Sequence, residues 1–260
     1  MLNSEYLSNL NENQREAVEC LDGPLLIVAG AGSGKTKVLT SRIAHIIKKN
    51  KAFPNQILAV TFTNKAAKEM QLRVSKLLRK DATGLPWLGT FHSISAKLLR
   101  KHADAVGLKS NFSIIDQDDQ VRLIKNICKA ENVDIKKISP KFILAIIDKW
   151  KNKGFYPQDV ILKRKDPLEK NFLSIYKIYQ EKLINLNSAD FSDLILHTVK
   201  MFEKYTDIAE LYSKKFKYIL VDEYQDTNFI QSEWLRHLSG HNKNICCVGD
   251  DDQSIYSWRG

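Results

Sequence analysis

Cysteine is scarce in this sequence and poorly placed for chemistry. The four thiols, Cys20, Cys128, Cys246 and Cys247, include no CxxC pair. Their spacing argues against a metal or disulfide framework and predicts reduced, buried thiols in a cytosolic protein. Long apolar runs are missing too: no segment approaches the roughly 20 residues needed to cross a bilayer. The opening stretch is polar and carries Glu5, Glu12, Arg15 and Glu16, which excludes a secretory signal peptide. Neither an internal repeat nor a low-complexity tract is present.

What remains is an ordinary globular composition with a basic bias. The 260 residues, 43% of them hydrophobic, suffice for one large or two modest domains, each with its own core. The net charge of +10 fits a polyanionic partner, because Lys and Arg neutralise phosphates and release counterions. A basic surface kept for solubility, or a lysine-biased genome, explains the total equally well. The distribution tilts the balance: residues 109–188 hold 16 Lys and Arg against 10 Asp and Glu, a net of +6. Lys149-Trp150-Lys151-Asn152-Lys153 and Lys163-Arg164-Lys165 form clusters there.

Four short apolar runs, 25–29, 57–62, 216–221 and 244–248, are rich in Ile, Val and Leu and bounded by loop residues. They read as buried strands of a parallel sheet. Between them lie helical periodicities: 36–49 with Val38, Ile43, Ile46 and Ile47 on one face, 66–78 with Met70, Val74 and Leu77, and 229–238. A further short strand at 88–91 feeds a helix over 93–101. Alternation of this kind implies right-handed crossovers and an α/β sandwich. From about Gly107 to Ser188 the rhythm changes to successive amphipathic helices, 117–129, 140–151 and 168–186, which suggests a helical insertion.

Ala29-Gly30-Ala31-Gly32-Ser33-Gly34-Lys35-Thr36 matches the phosphate-loop pattern GxxxxGK[ST] except that Ala29 replaces its first Gly. It follows a strand and opens a helix, the context such a loop needs. Glycines let backbone N–H groups turn to phosphate oxygens at the positive helix terminus. Lys35 then reaches the β- and γ-phosphates, and Thr36 offers a hydroxyl to Mg²⁺. Asp222-Glu223 ends another apolar run, and paired acids there divide the work. Asp222 holds the metal through its water shell, and Glu223 orients and deprotonates the attacking water.

Together with Thr61-Phe62-Thr63-Asn64-Lys65-Ala66-Ala67, Gly89-Thr90-Phe91-His92-Ser93, Asp222-Glu223-Tyr224-Gln225-Asp226 and the final Gly249-Asp250-Asp251-Asp252-Gln253-Ser254-Ile255-Tyr256-Ser257-Trp258-Arg259-Gly260, the loop completes a set in one order. This set resembles the N-terminal half of superfamily 1 DNA helicases of the UvrD, Rep and PcrA type, over essentially the whole chain. The resemblance implies a P-loop, RecA-like α/β core of residues 1–108 and 189–260, interrupted by a helical insertion at 109–188. It implies ATP and Mg²⁺ as cofactors, 3′ to 5′ movement on single-stranded DNA and its junctions, and a second core after Gly260 supplying arginines. Without that core, this stretch alone would hydrolyse ATP weakly and unwind nothing.

The resemblance also distributes roles. Leu10-Asn11-Glu12-Asn13-Gln14 matches an adenine-reading motif, so Gln14 would bond the base edge; it also suits the start of a helix over 14–20. Gln253 would contact the γ-phosphate, and Lys37 stands where many relatives carry Arg, which removes planar stacking and bidentate bonding. Phe62, Asn64, His92, Phe191, Tyr256, Trp258 and Arg259 match DNA-groove positions. Aromatic faces stack on any base, which suits a motor indifferent to sequence. Core packing explains Phe62 and Phe191 equally well, and His92 would also serve as a cap for the helix at Ser93. Competing readings are a helicase subunit of a helicase–nuclease and a truncated module that binds ATP and DNA without turnover. A small-molecule kinase leaves 61–67 and 253–259 unexplained.

Overall fold

A computed structural model of the chain describes residues 5–30, 32–78, 84–135, 137–162 and 167–250. A five-stranded, wholly parallel sheet lies at its centre, built from β1 (Leu25–Val28), β2 (Ile57–Thr61), β3 (Leu88–Thr90), β6 (Tyr218–Val221) and β7 (Ile245–Gly249). The strand order is β1-β7-β6-β2-β3. β2 and β6 are buried along their whole length, as continuous Ile/Leu/Val runs between two helical layers should be.

β1 departs from the expectation of burial. It is an edge strand, and its outward residues Leu26 and Val28 stand 62% and 59% exposed while Leu25 and Ile27 pack inward. The thiols depart in one case: Cys128, Cys246 and Cys247 are buried, but Cys20, following the last helical turn of α2, is exposed.

One face of the sheet carries α3 (Lys35–Lys48) and α4 (Asn64–Leu78), whose Leu39, Ile43, Ile46, Met70 and Val74 form one apolar cluster with the strands. Here α1 (Glu5–Ser8) and α2 (Glu12–Glu19) add a small patch around Tyr6, Leu7 and Val18. The other face is covered by α5 (Phe91–Lys101), α9 (Phe191–Lys204), α10 (Thr206–Lys215) and α11 (Phe229–Ser239), centred on Phe91, Leu196, Phe202 and Trp234. α9 and α10 lie outside the strand-and-helix pattern read from the sequence.

Residues between β3 and α9 form a separate apolar core. α6 (Gln117–Ala130), α7 (Pro140–Asn152) and α8 (Pro167–Asn185) enclose Ile124, Ile127, Ile143, Ile147, Ile175, Tyr176 and Tyr179. At its neck two short strands, β4 (Ser113–Ile114) and β5 (Ser188–Ala189), pair in parallel. Residues 113–114 and 188–189 thus lie side by side and run in the same direction.

Candidate nucleotide and nucleic-acid site

In a parallel sheet all carboxyl ends point one way, and ligands bind in the crevice outside them. The loop after β1, the turns after β2 and β6, Asp250 after β7, and the start of α5 after β3 all lie on that edge. Because β7 lies between β1 and β6, Asp250 at its end stands between the glycine loop and Asp222.

The loop is set by two glycines in the left-handed region, Gly32 at φ 74° and Gly34 at φ 87°; Gly34 is also the N-cap of α3. Larger residues would be strained at both positions. Lys35, in the first turn of α3, folds back so that its Nζ donates to Ala29 O at 2.8 Å, Gly30 O at 3.2 Å and Asp250 Oδ2 at 3.1 Å. Gln14 Nε2 donates to Ser33 O at 2.7 Å, while its Oε1 accepts from Asn11 N at 3.1 Å and closes the capping box of α2. Its helix-start role is therefore real, though the helix begins at Glu12. Lys37 donates to the carbonyl of Asn9.

Asp222 is 3% exposed, and its Oδ1 has no hydrogen-bond partner among the described residues. Burial, then the charge of Glu223, pushes its pKa up to about 6 against the pull of the Glu223 backbone N–H, Lys35 and Thr36. A buried carboxylate oxygen with no partner beside a hydroxyl suits a hard cation, which takes one or two protein oxygens and completes its shell with phosphate and water. Glu223 adopts a left-handed backbone, φ 52°, directly after the strand-end Asp222. Gln225 Nε2 donates to Glu223 Oε2 at 2.8 Å, and Gln225 Oε1 accepts from Asp250 N at 3.0 Å. Sequence reasoning missed Gln225 and Asp250, although both lie inside motifs it identified. Nothing in a motif's spelling says which member bridges to another.

A second set of residues lies along the same edge. Phe62 follows β2, is half-buried and meets Phe91 with ring centroids 5.7 Å apart. Asn64 opens α4 and is exposed. His92 sits inside the first turn of α5, whose cap is Thr90: Thr90 Oγ1 accepts from Ser93 N at 3.1 Å and Ser93 Oγ accepts from Thr90 N at 2.9 Å. That overturns the capping alternative for His92. Phe191 is 56% exposed and lies 4.7 Å from the His92 ring, which removes core packing as the alternative for this residue. Ala31, Gln253, Tyr256, Trp258 and Arg259 lie outside the described residues.

The basic cluster around Trp150 needs a larger correction. Lys151 is fully buried, with Nζ 2.6 Å from Asp190 Oδ2 and 2.7 Å from Asp193 Oδ1. It is no part of a solvated basic surface. Trp150 stacks on Tyr176 at 5.8 Å.

Comparison with known proteins returns one family and several relatives. The UvrD/REP helicase N-terminal domain matches residues 10–260. The chain is 49% identical over 263 residues to a probable DNA helicase II homolog of Rickettsia conorii, covering 100% of this chain and 40% of that protein. Against the ATP-dependent DNA helicase PcrA of Bacillus subtilis it is 46% identical over 259 residues, covering 100% of this chain and 35% of that protein. The chain therefore spans between a third and two fifths of the length of these relatives.

Proposed function

The chain belongs to the UvrD/REP helicase N-terminal domain family, and from that membership we propose that it is the ATP-binding core of an ATP-dependent 3′ to 5′ translocase on single-stranded DNA. The observation that carries this reading is the convergence of Lys35, Thr36, Asp222 and Glu223 at one end of the sheet, with a partnerless buried oxygen on Asp222. Phosphate binding would replace the contacts that Lys35 makes to Ala29, Gly30 and Asp250. Thr36 and Asp222 would hold Mg²⁺, which neutralises charge on the phosphates. Glu223, steered by Gln225, would take the proton from the attacking water. Gln253 and Lys37 belong to this proposal through the family pattern.

Single-stranded DNA would lie across the same edge, over Phe62, Asn64, His92 and Phe191, with Tyr256, Trp258 and Arg259 continuing the track. Phe191, exposed beside the half-buried ring of His92, supports this, since an aromatic side chain open to solvent is a platform for a base. Junction binding, a second core beyond Gly260 and a cytoplasmic location follow from the same reading. We take residues 1–108 and 189–260 as one core and 109–188 as its insertion.

Replacing Lys35 with Ala tests the assignment. Loss of most affinity for a non-hydrolysable ATP analogue is expected, with an unchanged far-UV spectrum. Undiminished binding by a folded variant would remove the loop from the nucleotide site.

A further inference from the structure

Phe191 is presented by a turn whose neighbours are all held from the insertion. Asp190 and Asp193 close a capping box at the start of α9: Asp190 Oδ1 accepts from Asp193 N at 2.8 Å and Asp193 Oδ2 accepts from Asp190 N at 3.2 Å. Those bonds already satisfy the helix terminus. Each aspartate spends its other oxygen on the insertion: Asp190 Oδ2 accepts from Lys151 Nζ at 2.6 Å and Tyr179 Oη at 2.9 Å, and Asp193 Oδ1 accepts from Gln180 Nε2 at 3.1 Å and pairs with Lys151 at 2.7 Å. Ser192 Oγ donates to Asp148 Oδ1 at 2.9 Å. Residues 190, 192 and 193 are thus tied to α7 and α8, and the one between them points out.

We propose that Lys151 is a positioning residue for the nucleic-acid groove, holding the 190–193 turn so that Phe191 stays against His92. The inference rests on the reading of Phe191 as a groove residue. Phe191, at 56% exposure, has little packing of its own, so its place follows from the backbone of the turn. A buried ammonium between two carboxylates is a poor source of stability compared with an apolar trio of the same volume, but it fixes geometry. What Lys151 adds beyond the capping box is a link from α7 to that turn. The insertion thereby sets the groove's edge through the 190–193 turn.

The test is a double-mutant cycle on single-stranded DNA affinity in the full-length protein, using oligo(dT) as probe. Phe191→Ala alone should weaken binding about tenfold, within the range of roughly five- to 150-fold that one lost stacking partner represents. Lys151→Met should weaken it by a similar factor in the parent and by less than about twofold in the Phe191→Ala background, because coupled residues are non-additive. Lys151→Arg should recover part of the affinity, and binding of an ATP analogue should be unchanged throughout. Where Lys151→Met fails to fold, Tyr179→Phe, which removes one bond to Asp190 and keeps the shape, replaces it in the cycle. Additive effects, or parent-like DNA affinity in a folded Lys151→Met or Tyr179→Phe protein, would overturn the inference while leaving Phe191 in the groove. If Phe191→Ala itself binds like the parent, Phe191 leaves the groove and the positioning role falls with it; the ATP site stands untouched.

Discussion

Lys35 and Lys151 each meet aspartate, in surroundings that make the two pairs behave differently. Lys35 reaches Asp250 at 3.1 Å from a glycine loop, shares its protons with two backbone carbonyls, and retains 9% side-chain exposure. Lys151 has no exposure, and both of its carboxylates are committed again to Tyr179, Gln180 or backbone N–H groups. Under the proposed function the first arrangement is replaceable: phosphate oxygens would take over the Lys35 ammonium and leave Asp250 beside the cation site. The second is enclosed, with the Tyr176 and Tyr179 rings also against the ammonium. The same ion pair serves as a latch where competing acceptors can enter and as a fixed strut where they cannot.

Chemistry should therefore be lost only at the latch. Glu223→Gln keeps the side chain's shape and its bond to Gln225 but removes basicity. In the full-length protein ATP turnover should fall by about 10²–10⁴, the usual contribution of a general base, with analogue affinity and unfolding midpoint near the parent values. Parent-like hydrolysis would move the base elsewhere and erase the chemical side of the comparison.

Stability should be lost at the strut. Lys151→Met leaves two buried carboxylates facing each other, and removing one partner of a buried pair costs about 3–5 kcal/mol. Denaturant unfolding should show that loss, whereas Lys35→Ala should cost far less because its loop can relax into solvent. Equal losses for both variants would mean that the two lysines are not different in kind.

The comparison also marks where sequence reading succeeds. The glycine loop, Asp222-Glu223 and the strand-helix alternation were legible because each needs particular residues at adjacent positions: φ near 74° and 87° at Gly32 and Gly34, and a carboxylate at a strand end. Lys151, Asp190 and Asp193 were not, because they meet across 39 and 42 residues of chain, and a lysine amid lysines reads as surface. Period-based reasoning likewise buried β1 on both faces, since four apolar residues in a row do not reveal that the strand lies at the sheet's edge. Thr90, two residues ahead of His92, was the better cap by residue type, and its Thr-x-x-Ser spacing was available to be read.

A pH scan sharpens the contrast at intermediate effect. Asp148 faces Asp190, Asp193, Lys151 and Ser192; burial first, then the charge of Asp190, pushes its pKa up to about 6 from 3.8. Between those values the folded chain holds a proton that the unfolded chain has lost, so this group's contribution to stability falls as pH rises through the window. At 1.36 kcal/mol per pKa unit the change is at most about 3 kcal/mol. Asp148→Asn should therefore gain on the parent between about pH 4 and pH 6 and hold that advantage above it. A constant difference across the range would show that Asp148 is ionised at all these pH values. Buried His197, whose pKa burial lowers, acts in the opposite direction and is present in both proteins.

The smallest expected effect belongs to Gln14, and it decides how the latch distinguishes nucleotides. Its amide is half engaged: the NH₂ donates to Ser33 O at 2.7 Å and the oxygen accepts from Asn11 N, which leaves a second N–H and a second lone pair. Reading an adenine edge would use that remaining N–H and lone pair, while the bonds to Ser33 and Asn11 fix how the amide is turned. A hydrogen bond is worth about 0.5–1.5 kcal/mol net, so Gln14→Ala should weaken ATP binding only about two- to tenfold. The nucleotide series separates two mechanisms. If Gln14 reads the base, ATP affinity falls and CTP affinity does not. If Gln14 acts through Ser33 on the phosphate loop, every triphosphate weakens by the same factor, and the adenine role passes to another residue. The packing at Gly34 belongs with the second outcome: a Cβ there would lie 3.0 Å from Gln14 Nε2, so the loop and the glutamine are in close contact. Titration of ATP and CTP against the parent and the variant distinguishes a base reader from a loop brace.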